Sequence, residues 1–138
     1  MQNGGCLCGG VRYQVEGELA PIQVCHCGQC RKAQGVAFVT NIPVPEAQFR
    51  LLQGDQLLKA FESSPGKQRV FCSHCGSPLF SRNAKTPGVL RIRAGSLDGE
   101  LASRPAAHFY VASKANWWTI DDGLPQFAAA YQPRTELS

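Results

Sequence analysis

"CSHCG", residues 72–76, sets two cysteines three positions apart and follows them with a glycine. Two thiolates at that spacing can hold one metal ion if the chain between them turns tightly. A glycine after the second brings backbone N–H groups toward sulfur. This is the zinc-knuckle pattern. It supplies two of the four donors that a structural zinc takes, so the partner pair must come from elsewhere. "GGCLCGG", residues 4–10, is the natural candidate, because glycines on both sides of Cys6 and Cys8 permit close backbone approach. Cys6, Cys8, Cys72 and Cys75 are therefore read as one closed tetrahedral site. Buried free thiols would instead behave as small hydrophobes, a reading that two clusters with flanking glycines disfavour.

The chain holds seven cysteines, and "CHCGQC", residues 25–30, carries the remaining three. The odd count then reads as four plus three. Three protein ligands with one open position is the general form of a catalytic zinc site. Cys25, Cys27 and Cys30 are the candidate ligands, and Cys30 is followed by Arg31 rather than by glycine. A short helix is predicted over Gln29–Gln34, with Gly35 as its stop. A helix start, with Arg31 and Lys32 beside it, lowers a thiol's pKa and would stabilise the net negative charge of a three-thiolate zinc. His26 lies between two ligands, so its side chain is expected to point away from the metal. His26 or His108 as a fourth ligand would close the site. His74 reads as a solvent-facing spacer and His108 as an ordinary core or surface histidine. A different pairing, of Cys27 and Cys30 with Cys72 and Cys75, stays open on spacing alone.

Composition bounds the rest. A length of 138 residues fits one domain, and 43% hydrophobic with 17% charged residues gives enough apolar material for a core. "MQNGGCLCGG" lacks a basic region followed by an apolar stretch, so it does not read as a signal peptide, and no run approaches the roughly 18 apolar residues that span a bilayer. The expected compartment is a reducing cytosol, where clustered cysteines mean metal or catalysis rather than disulfides. The formal charge of +4 hints at an acidic partner, but seven ligating thiolates and two Zn2+ ions would leave only +1. Basic residues are scattered, so no nucleic-acid footprint is expected.

Short apolar runs between Gly, Pro and Ser read as mainly β. Strands are predicted at Val11–Val15, Val36–Ile42, Gln48–Leu52, Leu57–Phe61, Gln68–Phe71, Pro78–Ser81 and Val89–Ala94. In "VLRIRA", residues 89–94, Leu90 and Ile92 face one way and Arg91 and Arg93 the other, as in a half-buried strand. Pro43 and Pro45 are expected to break the run after Ile42. "SSPGK" (63–67) and "AGSLDGE" (94–100) read as turn and loop, and "DDGLPQF" (121–127) as a segment closing against the body.

The series "GGCLCGGVRY", "CHCGQCRKAQG", "FCSHCGSPLF", "RAGSLD", "SKANWW" and "DGLPQF" resembles the glutathione-dependent formaldehyde-activating enzymes, the S-(hydroxymethyl)glutathione synthases grouped with centromere protein V. The resemblance runs from Gly5 to about Phe127, with all seven cysteines in the family's order and spacing. It implies a single zinc-binding domain over residues 1–138. The implied fold is mainly β: small curved sheets around a zinc ribbon, labelled Mss-four-like, with one short helix after the second cysteine cluster. It implies two zinc ions, a structural one on Cys6, Cys8, Cys72 and Cys75 and a functional one on Cys25, Cys27 and Cys30. The implied activity is that of a carbon–sulfur lyase joining glutathione to formaldehyde. A thiol substrate would ionise at the open zinc position and add to the aldehyde. Arg31, Lys32, Arg91 and Arg93 are candidates to hold its carboxylates, and Trp117 and Trp118 to wall the cleft. Two other readings compete: a non-enzymatic zinc module for a macromolecular partner, and a redox-labile zinc site.

Overall fold

Period-two alternation of apolar residues builds most of the chain. The computed structural model describes residues 1–130. Its strands are β1 (Gln2–Gly5), β2 (Arg12–Val15), β3 (Ile22–Cys25), β4 (Val39–Pro45) and β5 (Phe49–Gln53), then β6 (Leu58–Ser64), β7 (Lys67–Cys72), β8 (Pro78–Asn83), β9 (Val89–Arg93) and β10 (Pro105–Phe109). One helix, α1 (Gly28–Gln34), joins them, so the expectation of a mainly β fold with one short helix is met. The chain divides into two compact units, Met1–Ile22 with Asn41–Arg104, and Gln23–Thr40 with the chain from Pro105 onward.

In the first unit the strands run β4-β9-β8-β7-β6, beside a three-stranded sheet β1-β2-β5. The register sets Ile42 opposite Ile92, Ile92 opposite Phe80 and Phe80 opposite Val70. This row crosses four antiparallel strands and is almost wholly withdrawn from water. Each such side chain contributes roughly 1.5–3 kcal/mol by burial. Phe49 links the row to the smaller sheet, 5.3 Å from the Phe80 ring and stacked 5.1 Å from Tyr13. Tyr13 is buried, and that burial pushes its phenol up to about 12 against the pull of a 2.6 Å hydrogen bond with Ser96 Oγ. Asp98, two residues on, pairs with Arg12. "AGSLD" is thus a loop tied to β2 at two points.

Two expectations need correction. Pro43 does not break β4, which runs through it and ends on Pro45. Glu46 N–H donates to Gly88 O, so the even-numbered residues carry the ladder to β9, and both missing N–H groups fall on the opposite edge of the strand. Arg93 is not on a wet face either. It is 5% exposed, because Asn41 Oδ1, Ser81 Oγ and Arg91 O all accept from its Nη1. The other strands shift by three residues or fewer from the predicted bounds. Unforeseen were β1, whose sequence "QNGG" has no apolar alternation, and β3 and β10, which are short and preceded or opened by a proline.

In the second unit β10 pairs with β3, beside Val39 and Thr40 at the start of β4. The helix α1 lies between β3 and β4 in sequence, and it ends where Gly35 N–H reaches Arg31 O. "DDGLPQF" does close against the unit: His108 N–H donates to Pro125 O, Phe127 N–H donates to His108 O, and the Phe109 and Phe127 rings stack at 5.3 Å.

Gly54 is a tight backbone approach near the first knuckle. Its φ of +93° is costly for any other residue, and a Cβ there would strike Gly10 O and come within 2.7 Å of Val11 Cα. Gly54→Ala is therefore expected to destabilise the zinc-loaded protein by about 3 kcal/mol in urea denaturation. A loss under about 0.5 kcal/mol, the size of an ordinary surface change, would contradict this packing.

Candidate metal centres

The first cluster lies within the first unit. β1 delivers Cys6, and β7 ends on Cys72. The two turns are built alike. Cys6 N–H donates to Val11 O and Gly9 N–H to Cys6 O; Cys72 N–H donates to Ser77 O and Gly76 N–H to Cys72 O. Gly76 takes the left-handed φ of +77° that this second turn needs. The sulfurs of Cys6, Cys8, Cys72 and Cys75 all lie within 4.8 Å of one another, with 3.5 Å between Cys6 and Cys8 and 3.9 Å between Cys8 and Cys72. Four sulfurs about 2.3 Å from a tetrahedral zinc would stand roughly 3.8 Å apart, so the residues fit such an ion.

Backbone and hydroxyl donors face these sulfurs. Val11 N–H donates to Cys6 Sγ at 3.2 Å and Gly10 N–H to Cys8 Sγ at 3.4 Å. Leu7 N–H donates to Ser77 Oγ, which leaves the Ser77 hydroxyl hydrogen to reach Cys75 Sγ at 3.2 Å. That hydroxyl, with backbone donors, draws the Cys75 thiol down to about 5. Burial pushes Cys6 up, but Val11 N–H and the Cys8 and Cys72 thiols outweigh it and bring it below its ordinary value. Cys8 goes the other way. Gly10 N–H pulls it down, yet Cys6, burial and the other sulfurs together push it up to about 12. A cation among the four sulfurs would offset the charge that their ionisation creates.

The second cluster lies within the second unit. Cys25 ends β3, Cys27 caps α1 with its Sγ accepting Cys30 N–H at 3.2 Å, and Cys30 sits one turn in, 2% exposed. The helix starts at Gly28, one residue before the predicted Gln29, with Cys30 in its first turn. The three sulfurs gather within 4.8 Å, with Cys25 and Cys30 at 3.5 Å. Sulfurs of Cys27 and Cys30, with burial, push the Cys25 thiol far up. Among the described residues no histidine or carboxylate joins the three. The same sulfur spacing fits a tetrahedral zinc with one position left over. The cysteines thus part four and three, and Cys27 and Cys30 do not pair with Cys72 and Cys75.

The candidate substrate residues separate. Arg31 and Lys32 lie on α1 beside the cluster, Lys32 exposed and Arg31 half-buried, with an Nε that meets no described protein acceptor. Arg91 and Arg93 lie on β9 in the first unit, Arg91 reaching Thr86 Oγ1 at 3.5 Å and Arg93 held as described above. Trp118 packs edge-on against Phe38, which tilts against His26, whereas Trp117 is 67% exposed. His74 is exposed. His26 and His108 are both buried and face each other, and His108 faces Asp122. Asp122 was missed in the sequence; its only signal there is an Asp-Asp-Gly turn fourteen residues after His108.

Comparison with known proteins agrees with this geometry. The profile of the family described as glutathione-dependent formaldehyde-activating enzyme matches residues 1–113. A protein of Halomonas elongata that carries this family's name is 29% identical over 127 residues, covering 86% of this chain and 80% of its own. Namesakes in Aspergillus flavus and Aspergillus oryzae are 29% identical over 79 residues, covering 56% of this chain and 41% of theirs. A crystal structure of a Rhodobacter sphaeroides protein shares the fold at a TM-score of 0.62 and 20% identity, over 75% of this chain and 99% of its own.

Two substitutions test the division of the cysteines. Cys72→Ser is expected to abolish the cooperative melt, since a closed structural zinc contributes folding free energy outright; a melt close to wild type would sink the four-cysteine assignment. Cys27→Ala is expected to stay folded and hold about one zinc per chain by native mass spectrometry. Loss of both metals would mean a shared site.

Proposed function

The chain belongs to the glutathione-dependent formaldehyde-activating enzyme family, and on that premise we propose that it joins a thiol, glutathione, to formaldehyde at a zinc held by Cys25, Cys27 and Cys30. The observation that carries this reading is the trio of sulfurs with no fourth described protein ligand. Zinc bound there would supply the acidity that ionises a thiol and a fixed position for its sulfur. In the overall reaction a C–S bond forms, the aldehyde C=O becomes a C–O single bond, and the thiol hydrogen ends on that oxygen. Nothing is oxidised or reduced, which matches a carbon–sulfur lyase.

This chain's own residues act around that centre. Cys30, buried in the first turn of α1, and Cys27, capping it, hold two sulfurs on one rigid element. Arg31 and Lys32 on the same helix offer positive charge to an anionic tripeptide. Arg91 and Arg93, the other two candidates, lie in the first unit, and Arg93 is engaged there by Asn41 and Ser81. Cys6, Cys8, Cys72 and Cys75 take the structural ion, and the whole chain works as one zinc-binding domain. Seven cysteines without a disulfide suit a reducing compartment such as the cytosol; among the described residues no helix is long and apolar enough to cross a membrane.

Glutathione should bind by placing its sulfur at the open position, with release of the thiol proton. Its affinity should therefore rise with pH toward the thiol pKa of roughly 8.5. S-methylglutathione keeps the carboxylates but cannot ionise, and should bind at least about tenfold more weakly in calorimetry. Cys30→Ala should erase the difference. Equal affinity of both ligands for the wild type, unchanged in Cys30→Ala and with no S-hydroxymethyl product seen by NMR, would leave a non-enzymatic zinc module as the surviving reading.

A further inference from the structure

Two of the three histidines in the chain, His26 and His108, are buried at 0% and 3% exposed. A buried imidazole is costly unless its nitrogens are bonded. These two are joined in a line with one acid. Asp122 Oδ2 lies 2.8 Å from His108 Nε2, and His108 Nδ1 lies 2.8 Å from His26 Nε2. Leu124 N–H donates to Asp122 Oδ1 and holds the carboxylate in place. That donor first, and then His108, draw the Asp122 carboxyl below its ordinary value.

The line has a direction. A carboxylate only accepts, so His108 Nε2 carries the hydrogen. In the neutral ring His108 Nδ1 is then a lone pair, which takes the hydrogen of His26 Nε2. His26 Nδ1 is left bare, buried and without a described protein partner. Core packing alone would not need this ordered chain of donors and acceptors. Aromatic rings complete the seat. His26 lies 5.0 Å from the His108 ring and 5.4 Å from Phe38, while its backbone N–H donates to Phe109 O at 2.9 Å.

His26 stands between Cys25 and Cys27, two of the three clustered cysteines, yet its nitrogens do not join their sulfurs. Fixing its ring fixes the peptide on either side. We infer that Asp122 and His108 are positioning residues of the three-cysteine site: they hold His26 as its Nε2–H tautomer and, through it, keep Cys25 and Cys27 in the geometry that gathers the sulfurs. They are partners of the metal site that touch none of its ligand atoms. The inference rests on the reading of this cluster as the second zinc site.

The test uses the full chain loaded with zinc and labelled with 15N-histidine. Long-range 1H–15N correlation should show His26 and His108 both protonated on Nε2, with Nδ1 bare. His108→Phe keeps a ring of similar size but cannot orient His26. In chelator competition its second zinc should be held about 10–100-fold more weakly, with the first zinc and the cooperative melt unchanged. His108→Gln should restore most of the affinity, because its amide can donate to Asp122 and accept from His26. A proton on His26 Nδ1, or wild-type affinity for both zincs in His108→Phe, would overturn the inference. So would equal weakening of both zincs in both variants, which would mark a general folding role. A wild type that takes up only one zinc would remove the site reading and the inference together, and it shows before any variant is made.

Discussion

Mutual repulsion among crowded thiolates is the constraint on which both halves of this chain turn. Four sulfurs within 4.8 Å repel one another as thiolates, and a cation among them would offset that charge. The rise of Cys8 to about 12, against the pull of Gly10 N–H, is that crowding expressed as titration, whereas the Ser77 hydroxyl and backbone donors draw Cys75 down to about 5. A dication reverses the repulsion, because each thiolate then meets opposite charge at about 2.3 Å rather than like charge at roughly 3.8 Å. Cys6 and Cys72 also belong to the buried apolar cluster of the first unit, beside Val11 and Leu79. A metal held there would therefore couple its binding to core formation in that unit.

The second cluster obeys the same rule with different support. The first has a backbone or hydroxyl donor on three of its sulfurs, from Val11, Gly10 and Ser77. The second has Cys30 N–H on Cys27 Sγ, and its Cys25 thiol is pushed far up by its two neighbours. It has fewer sulfurs to repel one another and one coordination position to spare. On the proposed reading, that contrast, more than any single residue, would separate a closed site from one with room for a substrate sulfur.

Much of this was legible in the sequence because cysteine spacing encodes turn geometry directly. Two cysteines with a glycine after them demand a tight turn, and Cys72–Gly76 makes one. Alternation located β7, β8 and β9, since Leu90 and Ile92 must face the core. Three things were not legible. Strand β1 is held by pairing with β2 and carries glycines in place of an apolar pattern. Strand β4 tolerates two prolines because both point their missing N–H to one edge, a fact of register that composition does not carry. Arg93 looked like a surface cation because its acceptors, Asn41 and Ser81, lie 52 and 12 residues away.

The same limit applies to the site. The clustered cysteines announced themselves by type and spacing, whereas the buried polar groups beside them did not. Asp122 reads as a turn residue, and it is one, through Leu124 N–H; its second oxygen is what meets His108. His26 reads in the sequence as pointing away from the metal, because it stands between two candidate ligands. Pointing away is what lets it meet His108 and Phe38 on the far side of the segment. In a loop of alternating ligands, the residue that does not bind the metal is the one able to fix those that do, and the line from Asp122 through His108 ends on that residue.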